Sequence, residues 1–455
     1  MQKAAILATL VVMTLLILYG DMTHRVGEST SGPRMTILLG FLLLAASLAG
    51  AVARDLGLPR VTGYIVLGVL IGPSLLGVMS VDDTAALGTI DDIAISLIAL
   101  SAGGELRMSE LRRRGRAIGT IMLVEMVAVF VVTAGGLLAL SSFLPFTGGR
   151  DLVTVLTIAM IFGSVAIANS PSVAIAVIND SGARGPVAST VLGVTVMKDV
   201  LVIVLFAIAL AVARAVLDET GVEMTFALDL GWEIGGSLVV GAVSGWLISL
   251  YLGRYGPHSV LFILAAAFLN AQVAAALHLE VLLLSLTAGF FVENVNPAHG
   301  DRFIEAVEAN SLPFYALFFT LAGTKIELGS LRELGVFVAL FVLLRAAAIF
   351  GGTWLGARMT RSEPAVRRYA WTGFVSQAGV TLGMAVIAAR AFPEWGGELV
   401  TMFVAMVALH ELVGPVLFQQ GLQAAGEVGA RDRRDEAADE VRMAEATEGG
   451  TRGRP

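Results

Sequence analysis

The 455-residue chain is 56% hydrophobic and 15% charged, with a mean hydropathy of +0.82 and a formal net charge of −7. So apolar a chain of this length is excluded from the soluble globular class and reads as an all-α polytopic membrane protein, because helices satisfy their own backbone hydrogen bonds in lipid. Without cysteine, and without a basic stretch interleaved with aromatics, it offers no disulfide framework, no thiol redox centre and no nucleic-acid surface.

The apolar runs predict about 14 transmembrane helices. In chain order they are 2–19, 35–53, 61–79, 84–103, 117–144, 151–178, 186–213, 231–252, 258–277, 279–293, 311–324, 333–357, 366–391 and 398–419. The run at 2–19 follows a single lysine and lacks a small-residue cleavage site, so it is expected to be a retained span. Residues 1–420 form the expected transporter domain, and residues 421–455, rich in Gly, Ala and mixed charge, an expected tail that is disordered or a frayed surface helix.

Arginines set the expected orientation. Arg54, Arg60, Arg107, Arg112, Arg113, Arg114, Arg116, Arg184, Arg254, Arg302, Arg358, Arg361, Arg367 and Arg368 fall on one side, with both termini. That side is expected to be the cytoplasm of a bacterial cell, so the chain is expected to be a multi-pass protein of the cytoplasmic (inner) membrane.

An internal repeat is visible. LIALSAGGELRMSELR at 97–112 aligns without gaps on LFFTLAGTKIELGSLR at 317–332, and in the order of spans the two copies point in opposite directions. Inverted repeats over about 61–213 and 279–419 follow. In each, a later span has an interior that breaks a helix: Asn169-Ser170-Pro171-Ser172 in the first, Ser376-Gln377-Ala378-Gly379-Val380-Thr381 in the second. Broken helices in corresponding positions of inverted halves point to a transport site.

The span after the first break carries Lys198 and Asp199 near its middle. A charge at mid-membrane costs on the order of 2.5–3.5 kcal/mol on insertion scales, so such residues face protein or water and are functional-site candidates. A carboxylate accepts either a hard monovalent cation or a proton, which makes Asp199 the expected ion-binding group; the alternative is an ion pair with Lys198 or Arg345. The chain has three lysines (Lys3, Lys198, Lys325) against 27 arginines, so Lys198 is a specific choice. Lysine, unlike arginine, can release a proton when buried. Lys198 is therefore either a second proton carrier or the structural partner of Glu125, which lies mid-span at 117–144. Thr195 stands one turn before Asp199 and offers an oxygen to the ion or to its own backbone. Asn169 and Ser170 line the first break, Gln377 the second, and Glu125 and Arg345 are expected to form a supporting charge network.

These stretches together resemble the monovalent cation/proton antiporter superfamily: GYIVLGVLIGPSLLG at 63–77, SVAIANSPSVAIAVI at 164–178, the Lys198-Asp199 pair, FFTLAG at 318–323 and SQAGVTLGMAVI at 376–387. The resemblance covers about residues 35–420. It implies a homodimer, a core moving against a dimerisation domain, two broken helices crossing at mid-membrane and alternating access. It also implies that Asp199 is the ion-binding aspartate and Arg345 the buried positive residue of the third helix from the end. The residue before that aspartate is Asp in electrogenic members and Asn in electroneutral ones; here it is Lys198. The expected function is thus exchange of protons for Na+ or K+, with membrane lipid, a second copy, a cation and a proton as partners and with no cofactor. The alternatives are an anion or organic-acid transporter on the same scaffold, using Lys198 and Arg345, and a non-transporting membrane sensor. No nucleotide-binding, zinc or other catalytic motif supports an enzyme.

Overall fold

A computed structural model describes residues 31–429, apart from 107, 145, 218–223, 256–259, 296, 327 and 378. The expected first span at 2–19 and residues 430–455 of the tail lie outside the described residues. The described residues are helical and contain no strand. The chain runs through α1 (Ser31–Asp55), α2 (Arg60–Ile71), α3 (Val81–Ala86), α4 (Gly88–Glu105), α5 (Met108–Leu140), α6 (Leu152–Ala166), α7 (Pro171–Ser181) and α8 (Pro186–Leu217). It continues through α9 (Met224–Tyr255), α10 (Val260–Leu277), α11 (Val281–Val295), α12 (Pro297–Thr324) and α13 (Leu328–Met359). Next come α14 (Pro364–Tyr369), a 3-10 turn (Ala370–Phe374), α15 (Gly379–Ala391) and α16 (Pro393–Ala424). Among the described residues seven stretches are long and apolar enough to cross a membrane and six shorter apolar helices accompany them, so this is a multi-pass membrane protein.

The short runs at 279–293 and 311–324 are both helices, and the second is the end of the longer α12, which contains Pro313. The 61–79 run stops being helical at Ile71, where Gly72 and Pro73 end it. The tail begins later than the composition indicates. α16 reaches Ala424 and Glu427 is buried against the start of α8, because its carboxylate accepts the N–H groups of Val187 (2.7 Å) and Ala188 (2.9 Å).

The repeat extends beyond the aligned segment. In the same gapless register α5 falls on α13 along nearly its whole length, Gly103, Glu125 and Gly136 fall on Gly323, Arg345 and Gly356, and Gly68 falls one residue before Gly289. The glycines are the contact points. A Cβ on Gly68 would meet the Thr320 carbonyl, and one on Gly323 the Ile65 carbonyl, so α2 and α12 cross backbone to backbone. Gly103 and Gly289 make the matching crossing of α4 on α11, against the carbonyls of Leu286 and Leu100. Without a hydrophobic driving force between helices in lipid, such close approach supplies the packing that holds them together. α9 joins this group by laying Gly241 and Gly245 on α11.

The other group is built on α5 and α13, which pack along their length through Gly136, Gly352 and Gly356. Around that pair sit α6, α7 and α8 from the first half and the 3-10 turn, α15 and α16 from the second. Phe162, Phe341 and Phe403 pack together in its centre, the last two at 4.8 Å from Phe162. Both breaks and the Lys198-Asp199 pair belong to this group.

Candidate functional site

The first break follows from local chemistry. α6 ends at Ala166 and α7 starts at Pro171, which lacks an N–H that a first-turn position would leave unpaired anyway. Ser170 caps α7: its Oγ accepts the N–H of Val173 at 3.3 Å and lies 3.1 Å from the hydroxyl of Ser172. In the second half a 3-10 turn ends at Phe374 and α15 begins at Gly379. The two breaks touch: the Ser170 N–H donates to the Ser376 carbonyl at 2.9 Å.

Arg345 closes the crossing. It is fully buried and donates from Nε to the carbonyl of Ala166 (2.7 Å) and from its two terminal nitrogens to those of Val375 (2.7 Å) and Ala168 (2.7 Å). These are the orphan carbonyls at the two interrupted ends, and the guanidinium offsets the partial negative charge both accumulate there. Its place in the charge network is therefore on the backbone of both breaks, with Glu125 within electrostatic reach.

Lys198 and Glu125 form a closed pair. Lys198 Nζ lies 2.9 Å and 2.7 Å from the two Glu125 oxygens, and neither side chain has exposed surface. The ammonium also sits 5.9 Å from the Phe374 ring centre, at the end of the 3-10 turn. Lys198 thus faces inward, toward α5 and the second break.

Asp199 faces elsewhere, as successive helical side chains diverge by about 100°. It is buried, with 8% of its surface exposed, and no hydrogen bond or ion pair holds its carboxylate among the described residues. It lines a small cavity between α8 and the scaffold helices α9 and α11, with Val196, Ile203, Glu233, Glu280 and Leu283 among its walls. Sequence reasoning missed Glu233 and Glu280. Each lies in the first turns of an apolar run and reads as a terminal acid, and only the packing of α9 and α11 against α8 reveals what they face.

Asn169 and Gln377 flank the contact between the two breaks, next to Ser170 and Ser376. Thr195 donates its hydroxyl to the Val191 carbonyl at 2.7 Å, which leaves lone pairs but commits the proton to its own helix. Asn169 and Gln377 are buried, and the Asn169 amide nitrogen and both Gln377 amide atoms lack partners among the described residues. The Thr381 hydroxyl is in the same condition. Buried polar atoms without partners are rare, and a cluster of them marks a place where water or an ion completes the bonding. Among the described residues no group of three or more His, Asp or Glu side chains is arranged to hold a metal ion.

Inverted repeats whose broken helices cross next to a buried carboxylate define a secondary transporter of small ions. Comparison with known proteins makes this specific. Residues 42–420 match the sodium/hydrogen exchanger transmembrane family, and the chain belongs to that family, one of transporters rather than enzymes. It is similar to the Na(+)/H(+)-K(+) antiporter GerN of Bacillus cereus, at 25% identity over 76% of this chain and 85% of that protein. It is likewise similar to the glutathione-regulated potassium-efflux protein KefC of Salmonella typhi, at 26% identity over 90% of this chain and 65% of KefC. Among solved structures, the sodium proton antiporter MjNhaP1 of Methanocaldococcus jannaschii superposes with a TM-score of 0.65 over 87% of this chain and 98% of MjNhaP1, at 17% identity, a likeness of fold.

Proposed function

We propose that this chain exchanges protons for Na+ or K+ at Asp199, by alternating access, as a homodimer in a bacterial cytoplasmic membrane with both termini in the cytoplasm. The observation that carries the reading is the buried Asp199 carboxylate of the core group, which no hydrogen bond or ion pair holds among the described residues. Lys198 is matched by Glu125, and Arg345 is committed to backbone carbonyls, so neither is free to hold an anion. Asn169, Ser170, Thr195 and Gln377 are the oxygen donors proposed to complete the shell of a cation whose charge Asp199 balances. The core group of α5–α8 and α13–α16 is proposed to move against α1–α4 and α9–α12.

One carboxylate that alternates between one cation and one proton moves no net charge. Because Lys198 and Glu125 close on each other, the pair is proposed to travel as a neutral unit, which makes exchange electroneutral. The experiment is proton flux in proteoliposomes on addition of Na+, then K+, with and without an imposed potential. Flux insensitive to potential is expected in the wild type, and flux reduced to background in Asp199→Asn. Full flux in Asp199→Asn would overturn the assignment. Competition adds a second check: well below the pKa of the site, the half-saturating cation concentration should rise about tenfold per pH unit lost. A half-saturation independent of pH would mean that cation and proton do not share the carboxylate.

A further inference from the structure

The cavity beside Asp199 is walled in part by helices outside the core. Glu233 comes from α9 and Glu280 from the turn before α11, and both line it together with Asp199. It has room for about one water-sized sphere. Its remaining walls are Val196, Ile203, Ile234, Leu282, Leu283 and Leu286, so among the described residues no cationic side chain lines it with the three carboxylates. Lys198, the nearest in sequence, is turned away onto Glu125. Glu280 lies within electrostatic reach of Asp199. The Glu280 position is fixed from two directions. Its N–H donates to Ser237 Oγ of α9 at 2.9 Å, and its Oε2 accepts the Leu283 N–H at the start of α11. Trp232 locks the same corner by donating from Nε1 to the Leu277 carbonyl at 2.9 Å.

We infer that Glu280, supported by Glu233, is a cation-collecting station that serves Asp199 from one side of the membrane only. This rests on the exchange reading above and adds a role for the scaffold. The turn at 278–280 joins α10 to α11 and lies on the membrane side opposite Arg254, which in the proposed orientation is external. The three carboxylates do not converge as a chelate. They form a path of like charge with low-dielectric walls, which concentrates cations locally and speeds their arrival without tightening the bound state. Since Glu233 and Glu280 belong to the scaffold and Asp199 to the core, a shift of the core separates them. The station then acts on loading from its own side and is silent on the other.

Glu280→Gln tests this, because the amide oxygen can still accept the Leu283 N–H while the charge is removed. Proton flux is measured against Na+ and against K+ concentration in right-side-out and in everted vesicles. In Glu280→Gln the half-saturating concentration should rise about three- to tenfold when the cation is supplied from the 278–280 side. From the other side it should stay unchanged, with the maximal rate kept in both. Glu233→Gln should give a smaller shift of the same kind, and Glu280→Asp should restore most of the wild-type value. Raising ionic strength with choline chloride should shrink the difference between wild type and variant. An equal shift from both sides, or a fall in maximal rate at unchanged half-saturation, would overturn the station and leave Asp199 as the exchange site. Absence of cation-dependent flux in the wild type would overturn the exchange reading itself.

Discussion

The two halves of the core have one architecture and opposite chemistry. Register places Glu125 of α5 on Arg345 of α13, so the same position carries an acid in the first half and a base in the second. Glu125 reaches a side chain, Lys198 of α8. Among the described residues Arg345 gives its hydrogen bonds to backbone, the carbonyls of both breaks. The glycine crossings obey the repeat and the charges do not. Duplication thus accounts for the scaffold, and the departure from symmetry accounts for the two halves placing different charges beside the breaks.

The largest expected effect comes from removing the base. In Arg345→Met at least three charge-assisted hydrogen bonds are lost, each contributing about 1.5–3 kcal/mol, and the carbonyls at both breaks are left buried without donors. The expected outcome is loss of the monodisperse folded protein, read by size exclusion and Tm in detergent. Arg345→Lys should fold with a lowered Tm, because a point charge replaces the planar fork. If Arg345→Met folds like the wild type, the crossing is held by something other than this guanidinium.

The acid should behave differently. Breaking a buried pair from one end costs about 3–5 kcal/mol, because the other charge stays behind, whereas removing both ends can be nearly neutral. Glu125→Gln and Lys198→Met are each expected to lower Tm strongly, and the double variant to recover most of it. If the pair is only structural, the double variant should also keep potential-independent exchange. Should Lys198→Met alone convert a potential-dependent flux into a potential-independent one, Lys198 is a proton carrier and the comparison of halves must be redrawn.

A smaller loss is expected where the halves agree. Gly323→Leu or Gly103→Leu places a side chain against a carbonyl at a backbone crossing, where overpacking costs about 1–3 kcal/mol. Because the crossings are related by the repeat, the two variants should lower Tm by similar amounts and leave the half-saturating cation concentration unchanged. Unequal losses would mean that the scaffold is less symmetric than its glycines.

Much of this was legible in the sequence, for identifiable reasons. The Ala-Gly of the repeat could be aligned because it is a packing contact that both copies must make. The breaks were legible because Pro171, Gly379 and their small polar neighbours have no place inside a continuous helix. Lys198 and Asp199 stood out because charge is expensive in an apolar run. What each faces was not legible, since the 100° between adjacent residues says that they diverge and not toward what. The partnership of Lys198 with Glu125 was one of two open readings until the packing of α5 on α8 was known. Glu233 and Glu280 stayed hidden near helix ends, where acids are ordinary, and the start of the tail was misplaced because composition says nothing about docking.

The smallest expected effect lies at that docked segment, and it belongs to the first half alone. Glu427 caps α8, the helix that carries Asp199, with both carboxylate oxygens on backbone N–H groups, while the Arg184 N–H donates to its carbonyl at 3.1 Å. A Cβ on Gly185 would strike its side chain, so the fit is close. Burial pushes the Glu427 carboxyl up from its ordinary value of 4.5, against the pull of the two N–H bonds and of Arg114. A raised value means that docking stability is fully present below the ordinary value and lost as pH rises through the shifted one. Hydrogen-exchange protection of Val187 and Ala188 should therefore fall modestly as pH rises through that window. In Glu427→Ala it should be low throughout, with a Tm loss matching the roughly 1 kcal/mol of a missing cap. If α8 must keep its length and tilt to present Asp199 to the cavity, this variant should also slow exchange slightly from both sides equally. That outcome sets it apart from Glu280→Gln, whose effect is confined to one side.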